Sequence, residues 1–251
     1  MSEDEWEEEG ERWVRWARTP NHDAYWFYRD AFLDDLLPAA GRRTLEIGCG
    51  EGRVARDLAT RGHRVTAVDS SRTLLAYARA ADTDASLAQC DAAALPFRDD
   101  SFDLVGSYNS LQVVADMPAT VRETARVLGA DGRFAICVTH PVTDLGRFLT
   151  EEVGAPYVLR PNYFDNEWVD ETVEQGGLTM RFTGWTYSLE DYASALETAG
   201  FHITAMREPR PSPGGYEPRE HVPMFLLILA RTQLYDDIVR VIDEQGDTPS
   251  R

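Results

Sequence analysis

Leu45-Glu46-Ile47-Gly48-Cys49-Gly50-Glu51-Gly52-Arg53 runs from a short apolar strand through a glycine turn into a helix. Gly48 and Gly50 allow a tight turn with no Cβ between backbone and ligand. The amides that follow open a helix whose positive end suits a polar or anionic group. A dinucleotide fold calls for GxGxxG. Here the glycines fall at 48, 50 and 52, and Arg53 stands in place of the third glycine, which disfavours NAD or FAD. A lone glycine turn is compatible with a plain strand-to-helix connection, so its meaning depends on the neighbouring strand ends.

Outward from this turn, short apolar strands alternate with amphipathic helices: strand 43–48, helix 52–61, strand 64–69, helix 71–80, strands 85–89 and 102–107, helix 118–128 and strand 132–139. This alternation predicts an α/β, doubly wound and mostly parallel sheet. The strand Arg64–Val68 ends at Asp69, at the distance from the turn where an acid accepts both hydroxyls of a ribose. The next strand ends in Gln89-Cys90-Asp91-Ala92, which places Asp91 to accept from an exocyclic amine such as that of adenine. Singly, Asp69 has a competing role as a helix cap before Ser71, and Asp91 as a turn residue. Together, three sites at successive strand ends point to a nucleoside ligand.

These residues resemble the class I S-adenosylmethionine-dependent methyltransferases, most closely the type-11 group that includes quinone-biosynthesis and small-molecule enzymes; the match is specific over residues 43–139. The resemblance implies a seven-stranded Rossmann-like sheet and S-adenosylmethionine as cofactor. It assigns Glu46, Gly48, Cys49, Gly50 and Gly52 to the methionine portion, Asp69 and Ser70 to the ribose end, the Asp91 carboxylate and Ala92 amide to adenine, and Tyr108 to the neighbourhood of the methyl group. Ala125 to Arg133 looks like the family's turn before strand five, with Asp131 where glycine is frequent, and strands 201–207 and 222–231 look like its closing antiparallel hairpin.

Residues 1–40 read as two amino-terminal helices, 3–18 and 22–37, separated by Pro20. Residues 41–139 form the cofactor-binding core. Residues 140–187 lose the strand–helix pattern, become rich in aromatics and read as an inserted cap over the acceptor. Residues 188–251 return to the sheet with helix 188–199, the two closing strands, a Pro/Gly-rich loop at 209–219 and a last helix at 233–244. Tyr25 and Tyr28 in the second helix, and Tyr163 and Phe164 in the cap, are the candidate acceptor contacts; aromatics at such spacing also serve as ordinary packing. His63, His202 and His221 precede strands, away from the ligand edge. His140 follows strand five directly, at the ligand-bearing edge, and is the candidate proton acceptor. Cys49 reads as a small residue facing the ligand, since nothing beside it supplies a base.

Composition narrows the partners. The 251 residues carry 43 acids against 25 basic residues, every one of them Arg, for a net charge of −18. Such a chain repels nucleic acid and anionic membrane. The acidic start MSEDEWEEEGERW is the opposite of an export signal, and the longest apolar run, Val222–Ala230, is broken by Pro223 and far short of a membrane span. Cys49, Cys90 and Cys137 are odd in number and widely spaced, which suggests neither a disulfide framework nor a zinc site and fits the cytoplasm. The expectation is a metal-independent transfer of a methyl group to an O, N or C atom of a small-molecule acceptor. A non-catalytic binding module that keeps the nucleoside site and, more remotely, a nicotinamide oxidoreductase are the alternatives.

Overall fold

Strand β1 (Arg43–Ile47) is central, and after Arg43 every residue of it is buried. It pairs in parallel with β2 (Arg64–Asp69) on one side and β4 (Phe102–Tyr108) on the other; β3 (Ser86–Gln89) extends the sheet beyond β2, and β5 (Leu128–Thr139) lies beyond β4. The order is β10-β11-β5-β4-β1-β2-β3, with β10 at Phe201–Arg207 and β11 at Phe225–Thr232. Strand β11 alone runs antiparallel, to both β5 and β10. This is the doubly wound, mostly parallel sheet that the alternation predicts, with the seven-stranded Rossmann-like order that the family resemblance implies. The computed structural model describes residues 4–39, 42–81, 84–150, 152, 154–159, 163–212 and 221–232. The helix expected at 233–244 and most of the 209–219 loop lie outside the described residues.

The period-2 alternation of side chains builds one core on each face. Val65, Ala67 and Leu104 pack with the helices α2 (Tyr25–Asp30), α3 (Arg53–Thr60) and α4 (Arg72–Ala80). Leu45, Ile47, Val105 and Ile136 pack on the other face with α5 (Met117–Val127) and α7 (Leu189–Thr198). Three of these helix starts carry a side-chain cap: Ser71 accepts from Leu74, Asp116 from Ala119, and Ser188 forms a reciprocal capping box with Asp191. Asp131 takes φ +63°, the left-handed conformation that an Asp tolerates where glycine is frequent.

Two regions depart from expectation. The single helix at 22–37 is α2 followed by a π-helical turn, Ala31–Leu36, in which the Leu37 amide reaches back five residues to the Phe32 carbonyl. The cap is regular rather than patternless. After the four-residue helix α6 (Pro141–Asp144) it holds two antiparallel hairpins, β6 (Gly146–Phe148) with β7 (Tyr157–Leu159), and β8 (Trp168–Gln175) with β9 (Leu178–Trp185). The second turns at Gly176-Gly177, both at positive φ (+57° and +77°), the pair that a two-residue hairpin turn demands.

Helix α1 (Asp4–Arg18) lies between α4 and the β8–β9 hairpin. Glu7 at one side accepts from the Ser71 hydroxyl and from the amide and hydroxyl of Thr73, at 2.7–3.1 Å. Trp13 and Trp16 meet Phe182 edge to face at the other, with centroids 6.4 and 5.5 Å apart. The amino-terminal helix and the hairpin thereby roof the carboxyl edge of the sheet.

Candidate active site

A cavity of about 1070 Å³ opens under this roof. Its floor is the glycine turn. The Cys49 amide donates to the Val68 carbonyl at 3.0 Å and the Gly52 amide to the Cys49 carbonyl at 2.9 Å, which fixes the turn against β2. Gly48 (φ +68°) needs to be glycine twice over, because a Cβ there would stand 2.3 Å from that of Ser110, whose hydroxyl donates to the Ile47 carbonyl. Gly50 (φ +56°) sits below the Trp13 indole. Asp69 locks the arrangement: one oxygen accepts from the Gly50 amide at 2.7 Å and the other from Ser71 at 2.9 Å.

Glu46, Gly48, Cys49, Gly50, Asp69, Ser70, Asp91, Ala92, Tyr108 and Tyr25 all line this one cavity. Gly52 does not; its φ of +83° starts α3, and the space where its Cβ would stand faces Ala78 of α4, so it serves helix packing. Tyr28 is buried against Phe225 in the core. Tyr163 accepts from the Leu189 amide, and Phe164 beside it is 84% exposed. Tyr28, Tyr163 and Phe164 are thus corrected from acceptor contacts to a core residue and two residues outside the cavity. Tyr25 keeps its place, its hydroxyl donating to Asp57 at 2.5 Å and its ring stacked under Arg53.

His140 is also corrected. It is 3% exposed and outside the cavity lining; Nδ1 accepts from the Val142 amide at 3.1 Å and Nε2 lies 3.0 Å from Glu208. With Nδ1 accepting, the proton sits on Nε2. Burial lowers its pKa, against an opposing pull from Glu208. Both nitrogens are spent on the start of α6 and on Glu208. A strand-end position alone does not distinguish such a cap from a base.

The electrostatics of the floor are acidic. Burial, reinforced by Asp69 and Glu51, pushes the Glu46 carboxyl well above the usual carboxylate range, and its Oε2 is buried without a hydrogen-bond partner among the described residues. Burial also raises Asp69, although its backbone donors oppose this. Asp91 spends one oxygen on the Ala93 amide at 2.8 Å. An acid without a partner beside an open glycine turn fits a ligand ammonium group. An acid held at the end of β2 fits vicinal hydroxyls, and one at the end of β3 fits an exocyclic amine. S-adenosylmethionine carries these groups in this order, so the residues fit it.

Residues that sequence reasoning passed over as ligand contacts complete the walls: Trp6, Trp13 and Trp16 of α1, Asn109 after β4, and Asp144 of α6. The 6-13-16 spacing of the tryptophans did mark one helix face. Nothing local marks Asn109 or Asp144. Among the described residues no group of three or more His, Cys, Asp or Glu side chains is arranged to hold a metal ion, and no helix is long and apolar enough to cross a membrane.

Comparison with known proteins agrees with this geometry. The Methyltransferase domain family matches residues 45–136. The chain is 36% identical over 190 residues to a demethylmenaquinone methyltransferase of Clavibacter sepedonicus, covering 72% of this chain and 73% of that protein. It is 32% identical over 208 residues to the biotin biosynthesis bifunctional protein BioHC of Cellvibrio japonicus, covering 80% of this chain; this chain spans only 41% of that longer protein. A solved S-adenosylmethionine-dependent methyltransferase from Mesorhizobium loti superposes with a TM-score of 0.64 at 26% identity, covering 83% of this chain and 98% of that one. The chain belongs to the S-adenosylmethionine-dependent methyltransferases.

Proposed function

We propose that the protein transfers the methyl group of S-adenosylmethionine to an O, N or C atom of a small-molecule acceptor, without a metal. The observation that carries this reading is that the glycine turn, Asp69 and Asp91 share one cavity with the aromatic walls of α1 and the β8–β9 hairpin, so cofactor and acceptor meet in one enclosed space. Bound there, the cofactor supplies an electrophilic methyl on a sulfonium.

In this reading Glu46 and the Gly48–Gly50 backbone hold the methionine portion, with Cys49 beside them. Asp69 and Ser70 hold the ribose end, and Asp91 with the Ala92 amide reads the base. Tyr108, buried among Tyr25, Phe32 and Phe225, walls the reacting end. The remaining task of the chain is to align the acceptor and exclude water, which lowers the barrier without metal chemistry. The cap, residues 140–187, selects the acceptor together with α1. The acidic surface turns away nucleic acid and anionic membrane, and the cytoplasm is the compartment this composition fits.

Mass spectrometry of the denatured protein tests the cofactor: S-adenosylmethionine or S-adenosylhomocysteine is expected, and NAD overturns the reading. A screen of small-molecule acceptors for S-adenosylhomocysteine formation tests turnover. Tight cofactor binding with no turnover across the screen would leave a binding module.

A further inference from the structure

Asp144 closes α6, just beyond the end of β5, and lines the cavity with Tyr108, Asn109, Tyr157 and Trp185. Its amide donates to the His140 carbonyl at 3.0 Å, but among the described residues no hydrogen bond or ion pair engages its carboxylate. Other acids of the cavity are engaged. Asp69 and Asp91 hold backbone amides, Asp23 pairs with Arg53, and Glu51 pairs with Arg18 and Arg56. Glu46 lies under the glycine turn, on the cofactor side. Glu171 and Glu174 of β8 also line the cavity but are exposed, so among the described residues Asp144 is the half-buried acid left without a partner on the acceptor side.

The groups around it do not neutralise it. From α7, Tyr192 presents a buried hydroxyl without a hydrogen-bond partner among the described residues, and its own ionisation is opposed first by burial and then by Asp144. From β7, the Tyr157 hydroxyl donates to the Val142 and Thr143 carbonyls. On its own segment stand His140, held by Glu208, and Arg147, an exposed residue of the cavity mouth. From the β11 side, Pro223 offers only a carbonyl, which accepts from Thr143. Burial alone therefore sets the carboxyl, and it pushes it up to about 7. A buried acid without a partner is costly to keep, and one poised near neutrality is matched to moving a proton.

We propose that Asp144 takes the proton from a neutral, ring-borne hydroxyl of the acceptor as that oxygen is methylated. The inference rests on the methyl-transfer reading above. In the step, the acceptor O–H bond breaks toward the Asp144 carboxylate, and the freed electron pair forms the new O–C bond. The S–C bond breaks with its pair remaining on sulfur, so the sulfonium leaves as a neutral thioether. The walls favour this acceptor class. Trp13, Trp16, Phe182 and Trp185 give planar apolar surface, while Glu171 and Glu174 add negative charge that repels a carboxylate acceptor. A carboxylate acceptor would also need no base.

The test uses the full chain saturated with S-adenosylmethionine. The acceptor probes are phenol, catechol and 2-naphthol, each compared with benzoate and 2-naphthoate. The wild type is expected to form S-adenosylhomocysteine with a ring hydroxyl and not with the carboxylates. Asp144→Asn is expected to lower that turnover by ~10²-fold or more while cofactor affinity stays within about twofold. Carboxyl-detected NMR of the cofactor-loaded wild type should show Asp144 titrating near neutrality, a signal missing from the variant; if Asp144→Asn does not fold, Asp144→Ser replaces it and the wild-type titration stands by itself. Titration in the ordinary aspartate range, undiminished turnover in the variant, or a wild type that binds cofactor yet methylates only carboxylates or none of the probes each overturns the proposal. A wild type that fails to bind S-adenosylmethionine in calorimetry overturns instead the reading on which it rests.

Discussion

Asp69, the last residue of β2, accepts the backbone N–H of Gly50 at 2.7 Å, so the acid assigned to the ribose also fixes the turn assigned to the methionine portion. Its second oxygen accepts from Ser71. With the Ser70 backbone as a third donor, part of the carboxylate's acceptor capacity is left for a ligand hydroxyl. Asp69→Ala is therefore expected to weaken S-adenosylmethionine binding by about 1.5–3 kcal/mol, as for hydrogen bonds to a charged group, and to lower the melting temperature as well. Asp69→Asn should do no better, because its amide donors meet the backbone donors of Gly50 or Ser71. Calorimetry showing unchanged affinity in a folded variant would remove Asp69 from the site.

Glu46 predicts a proton signature. Burial, Asp69 and Glu51 raise its pKa in the free protein, and a cationic ligand group placed beside it favours the ionised form. Cofactor binding is then expected to release protons, and affinity to rise with pH until Glu46 is ionised without ligand. Titration calorimetry in buffers of different ionisation enthalpy measures the release. Proton uptake, or affinity that falls with rising pH, contradicts the assignment; Glu46→Gln should abolish the effect.

Gly48→Ala tests the turn itself. The left-handed φ costs about 1–2 kcal/mol for a non-glycine residue, and overpacking against Ser110 adds about 1–3 kcal/mol. Ser110→Gly removes the second cost and leaves the first. A double-mutant cycle by urea unfolding should show favourable coupling between the two changes, and strict additivity would place the strain elsewhere.

The His140 correction carries its own test. His140→Ala removes the acceptor for the Val142 amide and the partner of Glu208, so it should cost about 1–2 kcal/mol of stability while leaving cofactor affinity unchanged. Burial depresses its folded pKa, so the neutral form favours the fold. Its contribution is full above the unfolded value and is lost as pH falls toward the folded one. Unfolding followed from pH 8 to 5 should show the variant less sensitive than the wild type, whereas lost turnover with intact stability would restore the base reading.

The strand–helix alternation, the sheet type and the places of Asp69 and Asp91 were legible because each follows from local periodicity or from spacing along one strand–turn–helix unit. The cap's hairpins had a readable signal in Gly176-Gly177, but the acids and aromatics of 168–185 masked the alternation on either side. Gly52 and Tyr28 were misplaced for a different reason. A positive φ and an aromatic at helical spacing serve packing and ligand contact equally, and only the neighbour across space, Ala78 or Phe225, decides which. His140 and Asp144 share one edge of the sheet and lie a single helical turn apart. What separates them is a cap bond at Val142 and contact with Glu208, which no sequence spacing encodes.

Asp144 should reveal itself in stability even before an acceptor is known. Its folded pKa, raised to about 7 by burial, lies above the ordinary aspartate value, so between the two the folded protein holds a proton that the unfolded chain has released. Stability attributable to this residue is highest below the unfolded value, falls as pH rises through the interval, and levels off above the folded value. The full shift corresponds to on the order of 2–4 kcal/mol, discounted because the residue is partly exposed to the cavity. Asp144→Asn keeps the shape and cannot ionise. Its stability relative to the wild type is therefore expected to improve between about pH 4 and pH 8, with the other raised acids, Glu46 and Asp69, contributing equally to both proteins. Urea unfolding at the two pH values gives the difference directly. A stability difference that stays flat with pH would mean that Asp144 ionises like a solvated aspartate, and the cavity would then have no poised acid on its acceptor side.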